Sequence, residues 1–317
     1  MKRKSIRFNE RLPCIICGNE AHHFVYSGYD RFFDGSEVFS IIECTLCGLF
    51  SLRPRLPLEK MKKYYPNNYQ LFVQAVEDET NYFRFLDRYW GREKQVKQVI
   101  KRVSDPGVIL DVGCATGILL SGMRRRGWDC YGVEPNQYAA NYAQQRFDLK
   151  IFCGYLENAN YPEKFFDVIT MMDVLEHVFD PINTIREIHR ILKPGGYFIG
   201  NLPNGNAWER FLFGPYWVGW EAPRHYHVFT PKTIKKILED QHFRSVNIFS
   251  YIGRHGTFMV SLKFWIASWQ QPKRIKKIVM KVFGSLLVRI LLFPVFYLLE
   301  RVNKSTILSF SAKKHIG

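Results

Sequence analysis

Acidic residues are scarce in this chain of 317 residues: 29 Asp and Glu stand against 45 Lys and Arg, which gives a formal net charge of +16. A positive charge of this size favours an anionic partner, such as nucleic acid, an acidic membrane surface or a phosphorylated substrate. Charge alone does not distinguish among these partners.

The first residues are basic and lack the apolar stretch that a secretory signal needs, so we expect the protein to stay in the cytoplasm. Hydrophobic residues, by contrast, are plentiful. They make up 47% of the chain, and aromatic residues make up 16%. This composition supplies a real core and excludes a disordered protein.

Four of the seven cysteines form two Cys-x-x-Cys pairs, Cys14 with Cys17 and Cys44 with Cys47, and each pair is followed by glycine. In a reducing compartment this pattern favours a metal over a disulfide. Two residues between cysteines let both thiolates of a pair bind one tetrahedral zinc ion, and four thiolates leave no open position for chemistry. The sequence therefore predicts a structural zinc ion in a small ribbon-like module at residues 1–52.

A strand followed by a glycine-containing turn occupies residues 107–117. Residues 108–112 predict a buried parallel strand, and Gly113 and Gly117 allow a tight turn whose backbone comes close to a ligand. Glu134 lies 23 residues after Asp111, at the end of a second predicted strand. A carboxylate at that place can accept both hydroxyls of a ribose.

Together these residues resemble the class I S-adenosylmethionine (SAM) dependent methyltransferases, whose first motif is acidic-x-Gly-x-Gly-x-Gly. Ala115 replaces the middle glycine here. Residues 165–178 and 192–201 are similar to the family's fourth and fifth strands. The resemblance implies an α/β fold with a doubly wound, seven-stranded Rossmann-like sheet and SAM as cofactor. It implies cofactor contacts from Asp111, Gly113, Cys114, Gly117, Glu134 and Asp173.

The organisation along the chain follows from composition and periodicity. Residues 53–79 contain three prolines and predict a connector, and residues 80–317 predict the SAM-binding domain, in which strands and helices alternate. Helix starts are expected at Asp180-Pro181 and Thr230-Pro231, where a capping side chain precedes a proline. The family resemblance implies an antiparallel seventh strand near residues 306–313.

Residues 256–304 predict a helical insertion before that last strand. Within it, residues 282–299 are mostly apolar but contain Arg289 and Pro294, and a basic run precedes them. A spanning helix usually needs about 20 apolar residues without a central charge. The pattern favours a helix that lies in the plane of an anionic bilayer, and so a peripherally membrane-associated protein. The alternative is an ordinary pair of helices packed on the domain or at a dimer interface.

Methyl transfer to oxygen, nitrogen or a stabilised carbon needs a positioned nucleophile and a base. Residues 217–230 predict an aromatic-rich loop over the cleft, and Glu221, His225 and His227 are its candidate catalytic residues. The two histidines alternate, so only one is expected to enter the cleft. The alternative is that both only hydrogen-bond the loop. The family resemblance implies that Glu176 and His177, after the fourth strand, brace the fold.

The zinc module and the insertion favour transfer to a sugar of a cell-surface glycan, a sugar nucleotide or a lipid-linked intermediate. A zinc-binding segment before a SAM domain is similar to the arrangement in some sugar C-methyltransferases and in some ribosomal RNA guanine methyltransferases. Methylation of an RNA base is therefore the alternative, with nucleic acid as the less favoured partner. A non-catalytic binding protein is a third hypothesis. Quinones and other lipid-like acceptors stay possible if the protein contacts a membrane.

Overall fold

The computed structural model describes residues 12–315, apart from 34, 66–75, 77–78, 81, 104 and 251–254. Most of the second half of the predicted connector lies outside the described residues, as does the end of the segment 244–252, for which the sequence predicts a sixth strand. Within the described part, the chain forms two β-sheets with helices packed around them.

The larger sheet has seven strands in the order β10-β11-β8-β7-β4-β5-β6. Neighbours among β4 to β8 run parallel, whereas β11 is antiparallel to both β8 and β10. This arrangement confirms the predicted fold, including the antiparallel last strand. The strands are β4 Val108–Val112, β5 Asp129–Glu134, β6 Lys150–Cys153, β7 Phe166–Met172, β8 Leu192–Pro203, β10 Phe243–Phe249 and β11 Ile307–Lys314.

The central strands are covered on both faces, as parallel strands generally are. Ile109, Leu110, Val168, Ile169 and Phe198 are fully buried. The strand order reverses between β4 and β7, and ligands of open α/β folds bind at the carboxyl ends of strands at such a point. Both the glycine turn and the segment that begins at Asp173 start there.

The helices begin where the sequence signals place them. The Asp180 side chain accepts a hydrogen bond from the amide of Asn183, and the Thr230 side chain accepts one from the amide of Thr233. Both predicted helix starts are thus confirmed. The helices are α1 Leu58–Met61, α2 Tyr82–Ile100, α3 Ile118–Arg124, α4 Gln137–Phe147, α5 Pro181–Ile191, α6 Trp208–Phe213, α7 Pro231–Asp240, α8 His255–Ala267, α9 Lys273–Phe283 and α10 Leu286–Arg301.

The smaller sheet joins the N-terminal module to the rest of the chain. Its order is β1-β2-β3-β9, with all neighbours antiparallel. Three strands come from the module: β1 His22–Gly28, β2 Phe39–Cys44 and β3 Phe50–Arg53. The fourth strand, β9 His227–Val228, comes from the predicted loop at residues 217–230 and pairs with Phe50 and Ser51. The module therefore takes its last strand from the part of the chain that follows β8.

The predicted loop at residues 217–230 is a buried element instead of an open flap. Trp217 and Trp220 are almost fully buried and pack edge to face, with ring centroids 5.0 Å apart. Phe50 of β3 packs on Trp220 at 5.4 Å, and Phe258 of α8 belongs to the same apolar cluster. Burying these rings stabilises the fold more than leaving them over a cleft, which is why the loop folds inward.

The insertion between β10 and β11 is helical, as predicted, and comprises α8, α9 and α10. Phe258, Leu262 and Ile266 of α8 and Phe296 of α10 are buried in the cluster shared with the module. Helix α9 has no buried residue. The insertion is thus anchored by α8 and one face of α10.

Two glycine substitutions of opposite expected sign test this packing. A Cβ on Gly200 of β8 would lie 2.5 Å from Phe310 Cζ and 2.8 Å from the carbonyl oxygen of Met171, whereas a Cβ on Gly91 of α2 would have nothing within 4 Å. We expect Gly200→Ala to destabilise the protein by about 1–3 kcal/mol through overpacking. Gly91→Ala should stabilise it by about 0.5–1 kcal/mol. Urea unfolding measures both, and a neutral Gly200→Ala would contradict the described β8–β11 contact.

Candidate active site

The turn between β4 and α3 is held in a conformation that glycine favours. Gly113 and Gly117 have φ of +73° and +75°, and Ala115 has φ of +46°. A Cβ on Gly113 would lie 2.5 Å from Val174 Cγ2, and a Cβ on Gly117 would lie 2.6 Å from Leu149 Cδ1. Both positions therefore require glycine for space as well as for φ. Ala115 adopts the left-handed region at some backbone cost, so the turn survives the loss of the family's middle glycine.

The amides of Gly113 and Cys114 bond to the sheet. Both donate to the carbonyl oxygen of Val133, at 2.8 and 3.1 Å. The Cys114 side chain is buried between the turn and β5, where a Cβ on Gly132 would lie 2.7 Å from its sulfur. The N–H groups of Gly113 and Cys114 are therefore already engaged in hydrogen bonds. Any contact of these two residues with the cofactor depends on close approach of the backbone.

Glu134 is oriented by the backbone around it. One carboxylate oxygen accepts from the amide of Ala115 at 2.9 Å, and the other accepts from the amide of Asn136 at 2.8 Å. Burial raises the pKa of Glu134, and these two donors partly offset the shift. A carboxylate has about four acceptor sites, so two stay available for hydroxyl donors. This arrangement fits the predicted ribose contact.

Asp111 is a second buried acid at the same edge of the sheet. It accepts a hydrogen bond from the Thr170 hydroxyl at 2.7 Å, which ties β4 to β7. Burial raises the pKa of Asp111 to about 7; the Thr170 hydroxyl lowers it, and the charge of Glu134 raises it. Two acids in one region of low dielectric favour a cationic ligand.

Asp173 follows β7, at the carboxyl end of that strand. Its side chain is accessible to solvent, yet the surrounding protein raises the pKa of Asp173 to about 6, with a further contribution from the Glu221 carboxylate. Its φ of +56° is also in the left-handed region. Strained backbone of this kind is concentrated at functional sites.

Four side chains form an acid–base cluster next to Asp173: Glu176, His177, Glu221 and His225. His225 Nε2 lies 3.6 Å from Glu221 Oε2 and 4.0 Å from Glu176 Oε1. The rings of His177 and His225 meet edge to face, with centroids 4.6 Å apart. The ligand atoms of Glu176, His177 and His225 also lie within 4.8 Å of one another, a spacing that could hold a cation.

One nitrogen of His225 is fixed by the backbone. His225 Nδ1 lies 2.9 Å from the carbonyl oxygen of Gly219. Because a carbonyl oxygen only accepts, Nδ1 carries the proton in the neutral ring, and Nε2 keeps its lone pair. That lone pair is on the side of the ring that faces the two carboxyl groups.

The charge states in the cluster follow from burial and from its neighbours. Burial lowers the pKa of His225, and Glu221 partly reverses the shift. Burial also lowers the pKa of His177 to about 3 and raises the pKa of Glu176 well above its usual range. Burial opposes the charge of Glu221, but His225 and Arg224 outweigh it and lower the pKa of Glu221. At neutral pH the cluster therefore contains neutral imidazoles beside an ionised Glu221.

Arg224 connects this cluster to the N-terminal module. Its guanidinium is fully buried and donates to both carboxylate oxygens of Asp30, at 2.8 and 2.9 Å, and to Glu221 at 2.7 Å. Asp30 follows β1. Glu221, which has φ of +29°, is thus held by a side chain whose own partner belongs to the module.

The structure separates the two candidate histidines. His227 belongs to β9, where its Nδ1 lies 3.2 Å from the Ser51 hydroxyl, and burial lowers the pKa of His227 to about 3. Only His225 joins Glu221, which agrees with the expected alternation. Glu176 and His177 lie within the cluster, although the sequence suggested only a brace; their position directly after β7 was the available signal.

Two further residues gave no usable signal in the sequence. Asp30 contacts a residue 194 positions away. Tyr65, from the connector, places its hydroxyl 3.0 Å from His177 Nδ1. Neither lies in a recognisable motif, and only the folded chain brings them to the cluster.

The four cysteines of the module also converge. Cys14 and Cys47 sulfurs lie 3.5 Å apart, as do those of Cys17 and Cys44, and all four lie within 4.8 Å of one another. Thiolates bound to one tetrahedral zinc at about 2.3 Å are separated by about 3.8 Å, so the geometry fits a zinc ion. Burial raises the pKa of Cys44, but nearby N–H donors outweigh it and lower that pKa to about 6. A thiolate is thereby favoured at Cys44, whereas burial raises the pKa of Cys14 and of Cys47.

The sheet order, the glycine turn and the acid that ends β5 define a class I SAM-dependent methyltransferase. A family model described as "Methyltransferase domain" matches residues 81–248, a little more than half of the chain. The chain belongs to this family, and it is a SAM-dependent enzyme.

Curated relatives share the same description. "Ubiquinone biosynthesis O-methyltransferase" of Alkalilimnicola ehrlichii is 36% identical over 111 residues, which cover 33% of this chain and 44% of the relative. The protein of the same description from Pseudomonas entomophila is 31% identical over 163 residues, covering 45% and 70%. That of Proteus mirabilis is 29% identical over 160 residues, covering 46% and 64%. The chain thus aligns with about half to two thirds of the length of these relatives.

Solved structures share the fold at low identity. A SAM-dependent methyltransferase from Archaeoglobus fulgidus is 16% identical, with a TM-score of 0.50 over 74% of this chain and 100% of that one. A putative sarcosine dimethylglycine methyltransferase from Galdieria sulphuraria is 12% identical, with a TM-score of 0.51 over 76% and 90%. These similarities support the fold alone.

The predicted sugar acceptor is wrong. The relatives are named for ubiquinone biosynthesis, so a glycan, a sugar nucleotide and a role in polysaccharide biosynthesis are not supported. The same relatives leave the RNA-base alternative without support, and membership of an enzyme family overturns the non-catalytic one. The zinc module misled the prediction because cysteine spacing reports on a metal and carries no information about the acceptor.

The cofactor site is tested by Glu134→Gln. Glutamine keeps one acceptor oxygen but places an NH₂ group against a backbone donor, so SAM affinity should fall at least about tenfold, the loss typical for a hydrogen bond to a charged group. Asp129→Asn, at the exposed start of the same strand, should leave affinity unchanged. Isothermal titration calorimetry measures both. Equal SAM affinity in Glu134→Gln and the parent would show that Glu134 does not bind the cofactor.

Proposed function

We propose that this enzyme transfers the methyl group of SAM to a hydroxyl on the aromatic ring of a quinone precursor, with His225 as the base. The observation that carries the proposal is the geometry of His225, whose Nε2 lies 3.6 Å from Glu221 Oε2 in the acid–base cluster beside Asp173. The names of the relatives support an oxygen acceptor and a ubiquinone-type product.

The residues divide into two groups by role. Asp111, Gly113, Cys114, Gly117, Glu134 and Asp173 line the edge of the sheet where SAM is expected to bind, and SAM supplies a methyl group on a sulfonium. His225 Nε2 removes the proton from the acceptor hydroxyl, and the oxygen forms the new bond to the methyl carbon while the sulfur keeps the electron pair of the broken bond. Glu221 stabilises the imidazolium that results.

The acidity of the acceptor supports an aromatic hydroxyl. A phenol has a pKa of about 10, close enough to that of an imidazole for a proton transfer that a sugar hydroxyl would make far less favourable.

We further propose that Cys14, Cys17, Cys44 and Cys47 hold a structural zinc ion. The same module supplies Asp30, which binds Arg224, and β3, which pairs with β9 two residues after His225. Through these contacts the metal would position the base without touching the substrates.

The pH profile tests the base. If His225 removes the proton, kcat/KM should fall on the acid side with an apparent pKa below 6.5, because burial lowers the pKa of His225. Glu221 raises that pKa, so Glu221→Gln should move the acid limb to still lower pH as well as reduce the rate. Transfer of labelled methyl from SAM to an alkyl-substituted catechol measures the profile.

His225→Gln is expected to reduce kcat by about 100-fold or more, the usual contribution of a general base, and to leave SAM affinity unchanged. His227→Gln is the matched control and should retain most of the activity. An acid limb that stays in place in Glu221→Gln, together with an active His225→Gln, would rule out His225 as the base.

Zinc removal tests the module. Purified protein should contain about one zinc ion per chain, since four thiolates fill one tetrahedral site. Cys47→Ser should lose the metal, lower the unfolding temperature and reduce kcat more than SAM affinity. Cys153→Ser, an exposed cysteine outside the cluster, should match the parent. Inductively coupled plasma mass spectrometry measures the zinc content. A parent protein that contains no zinc and is fully active would contradict the proposal.

A further inference from the structure

The helical insertion belongs to a segment without negative charge. Residues 241–299 contain no Asp or Glu but nine Lys and Arg. In the rest of the chain basic and acidic residues are interspersed. A segment of this composition repels cationic surfaces and attracts anionic ones.

Helix α9 carries three separate stripes. Val279, Met280 and Phe283 pack against the apolar cluster shared with the module. Ile275, Ile278 and Val282 follow helical spacing and are exposed to solvent. The cations Lys273, Lys277 and Lys281 repeat every fourth residue and so form a third stripe beside the second. An exposed apolar stripe next to a cationic one is typical of helices that lie at a bilayer surface.

Helix α10 exposes a still broader apolar face. Phe296 and Glu300 face the protein, and Leu292 packs on the same cluster. On the rest of its surface, Leu286 is 72% exposed and Leu287 67% exposed. The other exposed apolar residues of this helix are Ile290, Leu291, Phe293, Val295, Tyr297 and Leu298. An apolar face of this extent is rare on a surface that meets only water.

The geometry of the pair limits how deeply it can enter a membrane. Among the described residues no single helix is long and apolar enough to cross, although α9 and α10 together reach that length and composition with a bend of 61° between them. The strands on either side of the insertion, β10 and β11, are neighbours in one sheet. Both ends of the insertion are therefore anchored on the same side.

We propose that α9 and α10 form a docking face for an anionic phospholipid bilayer, with the α10 face in the acyl region and the α9 cations at the phosphates. The charge pattern favours a bilayer over a second copy of this chain, because a copy would bring the same acid-free segment into contact with itself. This inference does not depend on the identity of the methyl acceptor.

Flotation with lipid vesicles tests the proposal. The full-length, zinc-containing protein should bind vesicles of phosphatidylcholine mixed with phosphatidylglycerol and bind pure phosphatidylcholine at least about tenfold more weakly, since each basic residue near an anionic surface contributes about 1 kcal/mol. Salt should weaken binding to the mixed vesicles. An alkaline carbonate wash should release the protein, as it does for proteins that do not span the bilayer.

Two double variants and a matched control separate the apolar from the electrostatic contribution to vesicle binding. Leu287→Glu with Leu291→Glu, and Lys273→Glu with Lys277→Glu, should each lose at least about tenfold in vesicle binding while SAM affinity stays unchanged. Leu46→Glu is the control, because Leu46 and Leu291 are both 65% exposed but Leu46 lies in the N-terminal module. Vesicle binding by both double variants at the parent level would overturn the proposal. So would protein that resists carbonate, or a parent that self-associates through this face and does not bind vesicles.

Discussion

The site depends on one buried guanidinium. Arg224 is surrounded by protein, and its charge is compensated by Asp30 from the module and Glu221 from the cluster. Leaving one partner of such a group unpaired costs about 3–5 kcal/mol, so the three residues hold together as a unit. Because Glu221 lies beside His225, the contact that joins the module to the rest of the protein also sets the electrostatic surroundings of the proposed base.

Several distant parts of the chain converge on the segment that contains His225, the proposed base. The module contributes a paired strand, the connector contributes Tyr65, and α8 contributes the Ser261 hydroxyl, which accepts from the amide of Val218 at 3.0 Å. A base that acts by position must be held to within a fraction of an ångström. In the proposed mechanism, the N-terminal module and the insertion therefore act on the chemistry by holding the segment of His225 in place.

The sequence predicts the fold well and the site in part, for physical reasons. The glycine turn, the acid after β5 and the caps at Asp180 and Thr230 are local signals, since a few adjacent residues determine the geometry. The ion pair of Asp30 and Arg224 is not local, and a two-residue strand such as β9 has no periodicity to detect. The aromatic residues near Trp217 suggested an open loop because their burial depends on a partner sheet. The acceptor was mispredicted because neither the spacing of the cysteines nor the composition of the insertion carries information about the group that is methylated.

The position of β11 means that the larger sheet can be completed only after β11 has been synthesised. β11 lies between β8 and β10, yet both of those strands leave the ribosome before it, and the three helices of the insertion do so as well. Until β11 is synthesised, β10 has no hydrogen-bonded neighbour in the larger sheet and β8 has an open edge. An open strand edge can form hydrogen bonds with the wrong strand. The apolar helices α9 and α10 are therefore synthesised before the larger sheet is complete.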